Sequence, residues 1–221
     1  MDLLEALYTT RAMRRVTGKP IPQDVQALIL DAAVRAPSGG NAQDWRFLLV
    51  DAPEVRSRLQ LIYRQCVDLL WTGPYRERAE AAAAAPNEPS SVEFLRLRRS
   101  VEWAADHFTE YPLLLLAFAS GDGTATSVLP AVWSAMLAAR SQGVGSALTS
   151  ALALKRDDVL RVLNVPRAQG WQLCCCVTFG YPIGRWGIAP RRPADQVTFK
   201  NYWGTPLDFA IDGPIWRGSS D

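Results

Sequence analysis

The sequence predicts a fold of the mixed α and β class, in which helices cover a small sheet. Three short apolar runs bounded by turn residues have the length of strands, at residues 45–50, 113–118 and 171–179. Segments with helical spacing of apolar residues separate these runs. Because only about three strands accompany about six helices, we expect a small and heavily covered sheet.

The helices are predicted from apolar residues three or four positions apart. In residues 22–35, Val25, Leu28 and Ile29 follow this spacing, and the loop Ala36-Pro-Ser-Gly-Gly40 follows the helix. The helix at residues 130–141 carries a stripe of small residues that suits a dimer interface, and Gly143 follows its end. The other predicted helices cover residues 2–10, 53–71, 92–108 and 157–163.

The domain organisation follows from the absence of repeats and linkers, which predicts a single domain at residues 1–221. Residues 72–91 contain Gly73-Pro74, an alanine-rich run and Pro86, and we interpret them as a variable lid or insertion between core elements. Residues 200–221 have no amphipathic period but carry Trp203, Phe209 and Trp216. Such an apolar tail is expected to dock on another surface.

Composition and charge exclude several classes of protein. Of the 221 residues 48% are apolar, which is enough for a substantial core. The 24 basic and 22 acidic residues nearly balance, which predicts no nucleic-acid partner. The apolar run at residues 113–119 is far shorter than the roughly 18 residues of a membrane span, and the start lacks signal-peptide features. We therefore expect a cytoplasmic protein that does not enter a membrane.

The sequence offers few side chains for catalysis. His107 is the only histidine, without a G-x-S-x-G motif or a cluster of metal ligands, and we interpret it as a surface or capping residue of a helix. Cys174, Cys175 and Cys176 are consecutive in an apolar run, which suits a buried strand better than a disulfide framework or a zinc site. If the chain is an enzyme, we expect a cofactor other than a metal to supply the reactivity.

Two groups of arginines are candidates for binding an anion. Arg11, Arg14 and Arg15 follow the first helix, and Arg191 and Arg192 lie between two prolines. Guanidinium groups bind phosphate through paired, charge-assisted hydrogen bonds. Short arginine groups are also common on solvated surfaces, so composition leaves both interpretations open.

Four short motifs follow one another in a fixed order. They are Arg11-Ala-Met-Arg14-Arg15, then Ala36-Pro-Ser-Gly-Gly-Asn41-Ala-Gln-Asp-Trp45, then Pro130-Ala-Val-Trp133 with Gly143-Val-Gly-Ser146, and last Phe179-Gly-Tyr-Pro182 with Arg191-Arg-Pro193-Ala-Asp-Gln-Val197. Together they resemble the FMN-dependent nitroreductase family over roughly residues 8–203. Residues 50–110 carry no motif of that family.

The resemblance implies an α+β nitroreductase-like fold, with a small, mostly antiparallel central sheet covered by helices. It also implies an intertwined homodimer that holds FMN at the subunit interface, with residues 200–221 docking on the partner subunit. The positions that match the family's cofactor contacts are Thr10, Arg11, Ala12, Arg14, Pro37, Ser38, Gly39, Asn41, Leu148, Thr149, Ser150, Arg191 and Arg192.

The same resemblance implies a role for each group of positions. Arg11 and Arg191 would bind the FMN phosphate. Arg14 would lie near the pyrimidine edge, where a cation favours the negative charge of the reduced flavin. Residues 37–41 would border the isoalloxazine from the other subunit, and a backbone N–H of residues 148–150 would point toward flavin N5.

Some positions depart from the family pattern. Thr10 stands where Arg is usual, Ala12 where Ser is frequent, Asp44 in place of Pro, and Ala189 where some members carry Lys. These departures imply weaker FMN binding than is typical. Thr10 would supply a replacement hydroxyl, and Arg192 a replacement charge.

The resemblance finally implies a two-electron oxidoreductase without a catalytic side chain. Hydride would pass from NADPH or NADH to flavin N5 and then to a small aromatic acceptor, such as a nitroaromatic or a quinone, in a ping-pong sequence. Trp71 and Tyr75 are candidates for a cover over that substrate, and packing in the core or an interface is the alternative. The alternative function is a flavin-binding or storage protein of the same fold that has lost turnover.

Overall fold

The computed structural model describes residues 1–120, 125–211 and 213–218. Two compact units are distinguished, one of Met1–Thr10 with Trp186–Asp221 and one of Arg11–Arg185. None of the helices in the described residues is long and apolar enough to cross a membrane. The helices are α1 (Leu3–Thr9), α2 (Gln23–Ala33), α3 (Pro53–Thr72), α4 (Arg76–Ala84), α5 (Pro89–Asp106), α6 (Val128–Ser141) and α7 (Arg156–Val162), and the strands are β1 (Val16–Thr17), β2 (Trp45–Val50), β3 (Leu113–Ala119), β4 (Gly145–Thr149) and β5 (Gln172–Pro182).

The sheet lies within residues 11–185, and the pairings between its strands are antiparallel. Its order is β1-β5-β3-β2, and β4 also pairs with β5. Strand β5 has 11 residues and aligns three other strands along its length. The described residues therefore form an α+β fold with an antiparallel sheet, as the family resemblance implies, but the sheet has five strands rather than the three predicted.

Strand β3 is buried on both faces, because helices cover both sides of the sheet. Leu114 and Leu116 belong to a core with residues of α3, α5 and α7. Leu113 and Leu115 belong to a second core with residues of α2 and α6. Side chains alternate between the two faces of a strand, so a continuous leucine run supplies two separate cores.

Most of the small-residue stripe of α6 lies in the second core, and a dimer interface at α6 stays a prediction. Ala131, Ala135 and Ala139 are fully buried there, together with Ile29 and Ala33 of α2. Small side chains let the two helices approach closely. Burial within this unit therefore accounts for the stripe.

Two strands have no recognisable signal in the sequence. Strand β1 has two residues, and β4 contains Gly145, Ser146 and Ala147, which have low strand propensity. Strand β4 forms because it pairs with β5 from Gly145–Gly180 to Thr149–Cys176. Tertiary pairing thus overrides local propensity at this position.

The segment interpreted as a lid contains α4, a helix of nine residues that begins before the alanine-rich run. Ala82 is 1% exposed and lies in the same core as Phe94 of α5. Helix α5 begins at Pro89, three residues earlier than predicted, because proline is well suited to a first helical turn. A lid function for residues 72–91 stays a prediction.

The unit of residues 1–10 and 186–221 joins the two ends of the chain. The Asp2 carboxylate accepts a hydrogen bond from the Glu5 N–H at 2.7 Å and caps α1. The Ala189 N–H donates to the Tyr8 carbonyl at 3.1 Å, and the Tyr8 ring lies 5.7 Å from that of Trp216. Docking of residues 200–221 on a partner stays a prediction.

Two glycines allow residues 13–16 to lie directly against the sheet. A Cβ atom on Gly180 would lie 2.5 Å from Cγ2 of Val16, and one on Gly145 would lie 2.8 Å from Cβ of Met13. Real Cβ contacts are longer than 3.0 Å, so any larger residue would displace the segment. The two glycines therefore fix the path of the chain that carries Arg11, Arg14 and Arg15.

Replacing Gly180 by alanine tests this constraint. The added methyl group would collide with Val16, so we expect Gly180→Ala to lower the free energy of unfolding by about 1–3 kcal/mol. Urea unfolding followed by tryptophan fluorescence measures the change. The control is Gly187→Ala, where an added Cβ meets no atom within 4 Å. Equal losses in the two variants would contradict the steric account.

Candidate functional site

The arginine motif runs beside strand β4. Ala12 forms an isolated parallel bridge with Ser146, and the Met13 N–H donates to the Ser146 carbonyl at 2.9 Å. Met13 is buried, whereas the residues on either side of it are more exposed. The fixed main chain therefore presents the three guanidinium groups of Arg11, Arg14 and Arg15 on the surface of this unit.

A cleft of about 460 Å³ opens between this segment and helix α5. Its lining includes five arginines, Arg11, Arg14, Arg15, Arg96 and Arg99. Within residues 11–120 and 125–185, no carboxylate forms an ion pair with any of the five. A concave surface lined by charge of one sign raises the local concentration of its counter-ion, so this cleft suits an anion.

Helix α5 contributes Arg96, Arg99 and Ser100 to the cleft. Arg99 and Ser100 lie three and four residues after Arg96, which places both on the same side of the helix as Arg96. The Ser100 hydroxyl accepts a hydrogen bond from Nη1 of Arg14 at 3.3 Å and links the helix to the motif. Sequence reasoning misses these residues, because helical spacing shows that they share a face but not which element that face opposes.

One turn farther along α5, Trp103 contacts the arginine motif and stacks on His107. The Arg15 guanidinium lies 5.5 Å from the centre of a Trp103 ring, within the range of a cation–π contact. Trp103 and His107 stack with centroids 4.1 Å apart, and Nδ1 of His107 lies 2.8 Å from the Trp103 carbonyl oxygen. His107 is the C-cap of α5, in agreement with the interpretation as a capping residue.

Arg14 also borders a small pocket of about 10 Å³, which it lines with Tyr63, Tyr111, Leu148 and Thr149. A pocket of this size has room for about one water molecule. The Tyr111 hydroxyl donates to the Arg14 carbonyl at 2.7 Å. Burial raises the pKa of Tyr111 and of Tyr63, so both phenols stay protonated at neutral pH. The structure thus brings three of the predicted contacts, Arg14, Leu148 and Thr149, to one place.

Residues 148–150 form the end of β4 and the turn that follows it. Leu148 and Ser150 are exposed, and Thr149 is half-buried. The Thr149 hydroxyl accepts a hydrogen bond from the Ala151 N–H at 3.2 Å, which orders the turn.

The second predicted group, Pro37, Ser38, Gly39 and Asn41, lies in a loop that does not line the arginine cleft of the same chain. The Gly39 N–H donates to the Ser127 hydroxyl at 3.3 Å, and the Gln43 N–H donates to that of Ser38 at 2.8 Å. Within one chain, therefore, this loop and the arginine motif do not line the same cleft.

The third predicted group, Thr10, Arg191 and Arg192, belongs to the unit that joins the chain ends. The buried Thr10 hydroxyl donates to the Ala6 carbonyl at 2.7 Å. Both arginines are exposed, and Nη1 of Arg191 donates to the Pro190 carbonyl at 2.8 Å. The part of these residues in ligand binding stays a prediction.

Trp71 and Tyr75 lie in an aromatic cluster with Phe94. The ring of Trp71 is 5.8 Å from that of Tyr75 and 6.0 Å from that of Phe94. Trp71 is only 8% exposed, and the Arg98 guanidinium lies 5.4 Å from its ring. These contacts correspond to the packing alternative, and a contact of either residue with substrate stays a prediction.

The thiols of the chain are poorly suited to nucleophilic or metal chemistry. The four cysteines are free, and burial raises the pKa of Cys66 to about 11 and that of Cys175 to about 12. Protonated thiols are weak nucleophiles and weak metal ligands. Among the described residues, no three His, Cys, Asp or Glu side chains are grouped as metal ligands would be.

Comparison with known proteins identifies the family. The sequence profile of the Nitroreductase family matches residues 7–181, which is most of the chain. The chain belongs to the Nitroreductase family. The match includes the arginine motif, the 36–41 loop and all of the sheet except Pro182 of this nitroreductase-family chain.

The curated relatives of this nitroreductase-family chain span different activities. It is 29% identical to 5,6-dimethylbenzimidazole synthase of Rhodospirillum rubrum, over 87% of this chain and 92% of that protein. It is 23% identical to iodotyrosine deiodinase 1 of Sus scrofa, over 89% of this chain and 67% of that protein. Family membership therefore does not identify the substrate.

Solved structures support the nitroreductase fold. Iodotyrosine deiodinase bound to FMN and 3-iodo-L-tyrosine has a TM-score of 0.68 at 23% identity, covering 86% of this chain and 95% of that one. The FMN and NADPH-dependent nitroreductase NfnB from Sphigopyxis sp. strain HMH also has a TM-score of 0.68, at 20% identity, covering 92% of this chain and 100% of that one.

Proposed function

We propose that this chain is an FMN-dependent two-electron oxidoreductase. The observation that carries the proposal is the arginine cleft, whose guanidinium groups form no ion pairs with carboxylates in the described part of residues 11–185. The phosphate of FMN is a dianion that suits such a donor set. Relatives of the same fold that are named for FMN support this choice of cofactor.

Two arginines of the cleft, Arg11 and Arg14, would hold FMN. Arg11 would bind the phosphate, and its Nη2 also donates to the Arg185 carbonyl at 2.8 Å, which orients the side chain. Arg14 would face the pyrimidine edge, held by its hydrogen bonds with Tyr111 and Ser100. A positioned cation there stabilises negative charge without reorganisation during the reaction. Leu148 would lie beside the flavin at the end of β4.

Bound FMN would supply hydride transfer from NADPH or NADH to a small acceptor, such as a nitroaromatic or a quinone, in a ping-pong sequence. The chain itself would bind and orient the reactants. The reaction would therefore require neither His107 nor a cysteine thiolate as a catalytic group. The curated relatives add halogenated aromatics to the acceptors to be screened, because one of them is a deiodinase.

Mixing the FMN-loaded protein with NADPH under anaerobic conditions tests the function. We expect the absorbance of the bound flavin near 450 nm, the usual flavin maximum, to bleach within seconds or faster, as in enzymes of ordinary turnover. Addition of a nitroaromatic or a quinone should then restore the colour. A bound flavin that reacts with neither NADPH nor NADH would instead indicate the storage protein. Failure to retain FMN at all would contradict both functions.

Replacing Arg11 by alanine tests the position of the phosphate. Loss of a charge-assisted hydrogen bond should weaken FMN binding by about tenfold or more, measured by quenching of flavin fluorescence. Arg191→Ala should have a similar effect. The control is Arg35→Ala, whose side chain pairs with Asp31 on α2 and does not line the cleft. Unchanged FMN affinity in both Arg11→Ala and Arg191→Ala would show that these two arginines do not bind the FMN phosphate.

We also propose that the functional unit is a homodimer, which would unite the cleft of one chain with the 36–41 loop of the other. Exposed apolar side chains support this proposal. Leu129 and Trp133 are 45% and 38% exposed and lie four residues apart on α6, and Leu148 is 38% exposed. In the terminal unit, Tyr202 and Trp203 are 79% and 93% exposed. Such surfaces are typical of partner contacts.

Sedimentation equilibrium tests the homodimer. We expect a mass of twice the 24.4 kDa of one chain. Trp133→Glu should shift the mass toward one chain, because a buried unpaired carboxylate opposes association. The matched control is Leu61→Glu on α3, which also replaces an exposed apolar residue. A wild-type protein of single-chain mass would refute the proposal.

A further inference from the structure

The cleft holds more positive charge than one phosphate needs. Five guanidinium groups carry a charge of +5, whereas a phosphate monoester carries about −2 at neutral pH. The family motif accounts for Arg11 and Arg14 but not for Arg96 and Arg99, which lie on α5 in the segment without motifs. The charge of these two residues is therefore unexplained by FMN alone.

The arginines of helix α5 differ in their partners. Arg98 pairs with Glu102 at 2.9 Å and lies over the Trp71 ring, so its charge is compensated within the structure. Arg96 and Arg99, three residues apart, line the cleft and have no carboxylate at ion-pairing distance within the described part of residues 11–185. Like charges held together without counter-charge oppose folding, so their grouping points to an anionic ligand.

We infer that Arg96 and Arg99 form a second phosphate subsite, which binds the phosphates of the nicotinamide nucleotide. This inference rests on the proposed oxidoreductase function, in which NADPH or NADH binds next to FMN. Both nucleotides carry a pyrophosphate, and NADPH carries a further phosphate on the adenosine 2′ position. Arginine forks match the oxygen geometry of such groups and form paired hydrogen bonds with them.

The direct test is binding of 2′,5′-ADP, which carries adenosine phosphates of NADPH but no nicotinamide and undergoes no redox reaction. Isothermal titration compares the FMN-loaded wild type with the double variant Arg96→Gln and Arg99→Gln. Glutamine keeps a high helix propensity, so α5 should remain folded. We expect 2′,5′-ADP to bind the double variant at least about tenfold more weakly, while the Kd for FMN changes by less than about twofold.

The matched control is Arg98→Gln, which removes an arginine of the same helix that pairs with Glu102 and does not line the cleft. It should leave the affinity for 2′,5′-ADP unchanged, and thermal melting checks that each variant is folded. Equal affinity of the wild type and the double variant for 2′,5′-ADP, or no binding to either, would overturn the inference. A loss of FMN affinity as large as that of Arg11→Ala would also overturn it, because Arg96 and Arg99 would then belong to the FMN phosphate site.

Steady-state kinetics distinguishes the two phosphate sources. In the double variant the KM for NADPH should rise about tenfold or more at unchanged kcat, whereas the KM for 1-benzyl-1,4-dihydronicotinamide, which has no phosphate, should not change. If the KM rises for NADPH but not for NADH, Arg96 and Arg99 bind the 2′-phosphate. If the KM rises similarly for NADH, they bind the pyrophosphate. A rise for the phosphate-free reductant would overturn the inference.

The two proposals fail in different ways. If the wild type retains no FMN, the oxidoreductase function fails, and titration of the protein as purified with 2′,5′-ADP still decides whether the subsite exists. If FMN binds and is reduced but 2′,5′-ADP binds both proteins equally, only the subsite fails.

Discussion

Close contact between residues 13–16 and two glycines of the sheet is the constraint on which the candidate site depends. At Gly145 and Gly180 an added Cβ would collide with Met13 or Val16. This contact lets the Met13 N–H reach the Ser146 carbonyl and fixes the main chain. Long arginine side chains lose much conformational entropy when they bind a ligand, so a rigid main chain beneath them improves binding. The glycines act on the site without touching it.

Grouping five arginines in one cleft opposes folding, since like charges repel. The structure limits this repulsion by local contacts that do not neutralise the charge. Arg14 donates to the Ser100 hydroxyl, Arg11 donates to the Arg185 carbonyl, and Arg15 lies over the Trp103 ring. Neutral partners orient a guanidinium group and leave its net charge available to a ligand. Functional sites commonly retain such features at the expense of stability.

The sequence predicts those parts of the fold that depend on local periodicity. Helix α2 and strand β3 are found within three residues of their predicted bounds, because each has a long and regular apolar pattern. Strand β4 is not predicted, since its pairing with β5 joins residues about thirty positions apart. In the site, the arginine motif is found from sequence, but Arg96 and Arg99 are not. Which element a helix faces is decided by tertiary packing, and residues 50–110 contain no motif to reveal it.

The leucines of β3 alternate between the two cores on opposite sides of the sheet. Leu114 and Leu116 support the core beneath α5, which carries part of the arginine cleft. Leu113 and Leu115 support the core beneath α6, which carries the exposed Leu129 and Trp133. Because the sheet separates these cores, substitutions that repack one leave the other nearly unaffected. The packing behind the arginine cleft and the packing behind the exposed face of α6 can therefore change separately, each from its own side of a shared sheet.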